Sequence, residues 1–212
     1  MKRLQQGLSL VELMVGLALG LMIVATASVL MDHQLHDSRR LQLETQLDQD
    51  LRAAADLIAR ELRRAGYTQH AARGANPYAE VGTGRQGIEH ARASFIAGED
   101  DGRLDPADRS GAKLENGTLR LKLGDAGWQA ITDADVVKVS RFSVSVHTRT
   151  VPLADYCTAP CPPAAGSACP PVQEVREAQL ALEGHAVQDP RVQRSLQATV
   201  RLRNDRITGH CA

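Results

Sequence analysis

The sequence predicts an α+β fold: one long N-terminal helix, membrane-spanning in its first half and amphipathic in its second, packed on an antiparallel β-sheet. Three observations point there. Residues 13–31 hold no formal charge, and as a helix they run roughly 28 Å, about the thickness of a bilayer hydrocarbon core. No proline interrupts the chain from there to Gly66, and an apolar stripe continues along it. Beyond Gly66, stretches of alternating apolar and polar residues recur, the period of half-buried strands.

The N-terminus opens with Lys2 and Arg3, then a short polar run ending at Gly7, then an apolar segment broken only by Glu12. Three readings compete. A secretory signal peptide would use Lys2 and Arg3 as its basic region and Ala25-Thr26-Ala27 as its cleavage site. Its apolar run would then be unusually long and would carry a carboxylate. A plain anchor with a cytoplasmic N-terminus follows the positive-inside rule and explains the length. It leaves Glu12 unexplained, since a carboxylate at the centre of an inserted helix costs about 2.5–3.5 kcal/mol.

The third reading accounts for every feature. Gly7-Leu8-Ser9-Leu10-Val11-Glu12, behind a basic leader and ahead of an apolar helix, resembles the class III signal of type IV pilins and pseudopilins. The resemblance implies a leader at 1–7 and cutting between Gly7 and Leu8 by a prepilin peptidase. Leu8 is then N-methylated, and residues 8–31 form a transmembrane or filament-core helix. It also implies that Glu12 of an incoming subunit meets the N-terminal amine of a neighbour. The physics agrees, because an unpaired buried charge costs far more than a paired one. Leu stands where the family more often has Phe. Gly16 and Gly20, four residues apart, lie on one face where another helix could approach closely; glycines are also common in membrane helices generally.

Residues 32–66 read as the amphipathic helix of the soluble domain. Leu43, Leu47, Leu51, Ala54, Ile58, Leu62 and Ala65 fall on one stripe. Asp48–Arg52 and Asp56–Arg60 are acid-before-base pairs on the other face. Arg63 and Arg64 complement the negative end of the helix dipole, and Gly66 supplies the C-cap. The ending Leu62-Arg63-Arg64-Ala65-Gly66-Tyr67 resembles the helix end of PilW-type minor pilins.

Residues 67–212 form the extracytoplasmic β-rich domain. Residues 67–93, rich in Gly and Ala with Asn76-Pro77, read as a loop. Ser94–Ala97 reads as a short strand. Glu99 to Asp108 is an acidic turn, either solvated or holding calcium on Glu99, Asp101 and Asp105. The EF-hand pattern fails there, because Ala97 would be its first ligand. Leu119, Leu121 and Leu123 alternate with Arg120 and Lys122 after the Asn116-Gly117 turn signal. Gln129–Thr132 pairs with that strand. Val136–Thr150 is the longest strand, with Phe142, Val144 and Val146 on one face. Residues 172–187 fit strand or helix equally, and Ser195–Arg203 alternates as a strand.

Between the long strand and the last ones lies a Cys/Pro loop, 152–171, which the prolines keep from being regular. Its Cys157, Cys161 and Cys169, with His210 and Cys211, admit a zinc reading, but the spacing lacks paired C-x-x-C knuckles. An extracytoplasmic domain favours two disulfides, with three pairings open. Pilins often tie back the C-terminus, so the resemblance implies that Cys211 bonds one of the other three.

Net charge is zero, which gives no electrostatic footprint for nucleic acid. Ser195, His185 and Asp189 lie in no nucleophile-elbow context, and no phosphate loop, HExxH or C-x-x-C appears; no enzyme and no cofactor is expected. The resemblance implies a minor pilin that helps start a type IV pilus. Its partners would be other minor pilins, the major pilin, the prepilin peptidase and the inner-membrane assembly platform. It would span the inner membrane once, C-terminal domain in the periplasm. A type II secretion pseudopilin of the J type is the alternative, and a membrane-tethered adhesin using residues 152–171 a further one.

Overall fold

The computed structural model describes residues 10–68, 76, 78–79, 81–85, 91–96, 101, 103–162 and 169–212. Helix α1 runs from Leu10 to Arg64. The chain divides into two compact units, residues 1–43 and 44–212.

In the second unit the predicted stripe is the buried one. Leu47, Leu51, Ala54, Ile58, Leu62 and Ala65 are buried, joined by Ala55 and Ala59, while Leu43 is half-buried. On the outer face Asp48–Arg52 closes at 2.7 Å. Near the helix end Arg64 reaches the buried Glu61 at 3.2 Å.

The strands form two antiparallel sheets, where the sequence suggested one. The first holds β1 (Val81–Arg85), β2 (Ala91–Ile96), β3 (Arg109–Glu115), β4 (Thr118–Lys122) and β5 (Gln129–Ala130) in sequential order. The second holds β6 (Val137–Pro152), β7 (Val172–Ala186) and β8 (Gln193–Arg201), with β9 (Arg206–Thr208) pairing the start of β7. Of the ambiguous stretch 172–187, Val172–Ala186 is strand. Fifteen registered pairs with β6, from Val137–Ala186 to Pro152–Val172, outweigh any local helical preference.

Other expectations need correcting. The stretch 67–93, expected to be loop, contains β1 and the start of β2. β3 was not anticipated at all. Its buried face is Ser110, Ala112 and Leu114, too weakly apolar to register as a strand pattern. Asn116 and Gly117 both take positive φ, 53° and 79°, as a two-residue hairpin turn requires, and they join β3 to β4. Leu119 and Leu121 are buried, but Leu123 lies past the end of β4 and is 43% exposed.

Within the second unit, the part of α1 from Glu44 onward lies against the second sheet. Gly184 makes room: a Cβ there would sit 3.2 Å from the Lys138 carbonyl oxygen and 3.4 Å from Leu51 Cδ2. Arg194 of β8 reaches Glu44 at 2.8 Å. The sheets are linked by the Val139 N–H, which donates to the Gly117 carbonyl at 2.8 Å.

Asp50 on α1 carries an electrostatic cost. Burial, and then the nearby Asp133 carboxylate, raise its carboxyl above the ordinary 3.8. The sign follows from linkage. A raised folded-state value favours the protonated form, so this contribution to stability is full below 3.8 and is lost as pH rises through the raised value. Asp50→Asn is therefore expected to melt higher than the wild type at pH 7, with the gap closing as pH falls below 4. Thermal melts across pH check this, and a gap that widens on acidification contradicts it.

Candidate functional site

Two regions carry the predicted functional features: the apolar part of α1 and the place where α1 ends.

In the first unit Glu12 sits in the opening turn of α1. The span that follows is apolar enough to cross a membrane by length and composition. Leu13, Met14, Leu17, Leu21 and Val24 are each more than half exposed. The few polar groups are satisfied inside the helix. Thr26 Oγ1 donates to the Ile23 carbonyl at 2.9 Å, and Ser28 Oγ to that of Val24 at 2.9 Å. A hydroxyl bonded this way can enter an apolar medium without an orphaned donor. A Cβ built on Gly16 or Gly20 meets nothing within 4 Å, so both face open space. Gly7 and Leu8, the expected cleavage and methylation positions, lie outside the described residues.

The end of α1 is a polar knot. Ala65 is fully buried. Gly66 has φ +75°, the left-handed conformation that glycine adopts without steric cost. Its N–H does not turn back onto the helix; it donates to the Ile96 carbonyl of β2 at 3.0 Å. Its carbonyl accepts from Asn76 Nδ2 at 2.8 Å and from Asn204 Nδ2 at 3.0 Å. Asn204 also donates to the Thr68 carbonyl at 3.0 Å. The Arg203 guanidinium lies over the Tyr67 ring, 5.5 Å from its centre. Arg176 of β7 donates to the Ala79 carbonyl. One glycine thus ties the helix end to β2, to the loop after the helix and to the C-terminal segment. The sequence marked Ala65-Gly66-Tyr67 but gave no sign of Asn76, Arg176, Arg203 or Asn204, which lie 10 to 138 residues away.

Gly66→Ala is expected to destabilise the protein by about 1–2 kcal/mol from the left-handed backbone alone. Its methyl would also lie 3.4 Å from Arg176 Nη2 and from the Arg203 carbonyl oxygen. Denaturant unfolding in detergent checks this, and an unchanged midpoint contradicts it.

The acidic turn serves the backbone. Asp105 caps the 3-10 turn Pro106–Asp108, accepting from the Ala107 N–H at 2.8 Å. Asp108 returns the bond by accepting from the Asp105 N–H at 3.0 Å. Asp101 accepts from the Arg103 N–H at 2.9 Å and from the Tyr78 hydroxyl at 3.3 Å. Glu99 lies outside the described residues, and among the described ones no three metal-ligating side chains converge. The calcium alternative gains nothing from this geometry.

The cysteines form two disulfides, the pairing that an extracytoplasmic domain favours over zinc. Cys157 is bonded to Cys211 and Cys161 to Cys169, so none is available to a metal. Among the described residues of the loop between β6 and β7, Ala154–Tyr156 forms a 3-10 turn. The residues weighed as catalytic do not assemble. Asp189 is held by Arg191 in the β7–β8 turn, at 2.9 Å, while His185 is registered opposite Gln193 and Ser195 opposite Glu183.

Two family models match the chain. One, described as prepilin peptidase-dependent protein B, covers residues 40–202. The other, described as the prokaryotic N-terminal methylation motif, covers residues 2–28. No curated protein and no solved structure matches it.

Proposed function

The chain belongs to the prepilin peptidase-dependent protein B family, and from that membership we propose that it acts, without enzymatic activity, as a minor pilin in starting the assembly of a type IV pilus. Its class is that of the type IV pilin-like prepilins; the machine it serves is our reading. One observation carries that reading. A single uninterrupted helix offers an apolar surface with one carboxylate, Glu12, from Leu10 to Met31, and is fixed into a sheet domain from Glu44 onward.

The mechanism follows from that helix. A prepilin peptidase removes residues 1–7, and the new amine at Leu8 and Glu12 make a neutral pair with a neighbouring subunit. The apolar helix then exchanges lipid for a bundle of like helices. Packing and pairing drive this step, since lipid tails are as apolar as leucine. The sheet domain, held in the periplasm, decides which subunit sits beside it. The partners on this reading are other minor pilins, the major pilin and the inner-membrane assembly platform.

A deletion strain tests the reading. Loss of surface pili and twitching, with exoprotein secretion intact, is expected. Loss of secretion with twitching intact contradicts it and indicates a type II secretion pseudopilin of the J type.

A further inference from the structure

We propose that the chain is a substrate of a thiol–disulfide isomerase, which it needs to reach its native pairing. The observation is the connectivity. In chain order the four cysteines pair first with last and second with third, Cys157–Cys211 around Cys161–Cys169. The outer bond spans 54 residues and the inner one 8. Cys211 is the penultimate residue.

Two physical facts turn this pattern against correct pairing. The first is order of appearance. A chain delivered from its N-terminus presents Cys157, Cys161 and Cys169 to an oxidant before Cys211 is available. The second is loop closure. In an unfolded chain the probability that two residues meet falls as about the −3/2 power of their separation, so the non-native Cys157–Cys161 closure, half the length of the native Cys161–Cys169 one, outruns it by roughly 3-fold.

Cys161 is therefore the branch point. Paired with Cys169, it leaves Cys157 for Cys211. Paired with Cys157, it strands Cys169 with Cys211. β9 does not exclude that wrong bond: Val172 pairs Thr208, and Cys169 and Cys211 each lie three residues beyond that pair. The fold itself cannot guide the choice early, because β9 supplies only three pairs to that register and comes last in the chain.

The chemistry balances without a further oxidant. The first oxidation passes two electrons and two protons from two cysteine thiols to the disulfide of a thiol oxidase, which becomes a dithiol. Reshuffling is then electron-neutral. An isomerase thiolate attacks Cys161 Sγ of the Cys157–Cys161 bond and expels the Cys157 thiolate. The Cys169 thiolate attacks the mixed disulfide at Cys161 Sγ and regenerates the isomerase thiolate. The Cys157 thiolate is then free for Cys211, by oxidation or by exchange with a bond to it.

The test expresses the full chain in a bacterial host that has a periplasmic thiol oxidase, with and without the periplasmic disulfide isomerase. Thiols are trapped by acid and alkylation. Tandem mass spectrometry then reads tryptic peptides 150–176 and 207–212, which together hold all four cysteines. Native pairing with the isomerase, and Cys157–Cys161 as the majority species without it, is expected. Native pairing at equal rate and yield in both strains overturns the proposal. Cys161→Ser with Cys169→Ser leaves one possible bond, and its formation is expected to be independent of the isomerase. If dependence persists there, the slow step is not reshuffling and the proposal falls. The inference needs an exported C-terminal domain, which belongs to the pilin reading. Four free thiols in both strains overturn that topology and this proposal with it, whereas native pairing without the isomerase overturns this proposal alone.

Discussion

Glu12→Gln is expected to leave cleavage of the leader intact and to remove the protein from assembled filaments. The reason is the neutral pair. Glutamine is close in shape to glutamate and still accepts a hydrogen bond, but it cannot neutralise an amine. Breaking a buried ion pair on one side costs about 3–5 kcal/mol, because the remaining charge stays buried and unpaired. At 1.4 kcal/mol per decade, that loss is roughly 100-fold or more in the equilibrium for entering the bundle. The comparison to make is the ratio of variant to wild type in sheared pili and in membranes, each normalised to processed protein. Equal incorporation would mean that Glu12 has no partner in the filament.

The second large effect concerns the disulfides, and it is an ordering. On the chain-entropy account, a bond across 54 residues contributes roughly 4 kcal/mol and one across 8 residues about 2.5 kcal/mol. Cys157→Ser with Cys211→Ser is therefore expected to lower stability more than Cys161→Ser with Cys169→Ser. Denaturant unfolding of the two double variants measures the difference, and the reverse order contradicts the account. The long bond is also the one that fixes the C-terminus. Without it β9, held by only three registered pairs, is expected to lose amide protection before β6 or β7.

Some of this was readable in the residues themselves, and the boundary has physical causes. The assembly helix was legible because charge-free length and a lone carboxylate are local facts; the extent of α1 and its buried stripe followed from them. β6 and β8 were legible because Phe142 and Val144, and Leu196 and Val200, alternate against polar neighbours. β7 was not, since Val175 is buried on the face opposite Ala178, Leu180 and Leu182, which blurs its two-residue period. β3 escaped because its buried side is mostly small. The division into two sheets is a matter of which strand finds which partner, and no local pattern encodes it. At the helix end, Gly66 announced a cap, but the asparagines that complete the knot are ordinary residues until the fold brings them to one carbonyl. The nested disulfides belong to the same class: spacing left three pairings open, and only the fold sets Cys157 beside Cys211.

A prepilin signal, a plain anchor and a secretory signal leave the protein with three different N-termini. The intact mass and N-terminal sequence of the protein from membranes, with and without the prepilin peptidase, tell them apart most directly. A chain beginning at N-methylated Leu8 when the peptidase is present, and at the full leader when it is absent, is the predicted result. A chain beginning at Ser28 in both strains would contradict it and would remove Glu12 from the mature protein altogether.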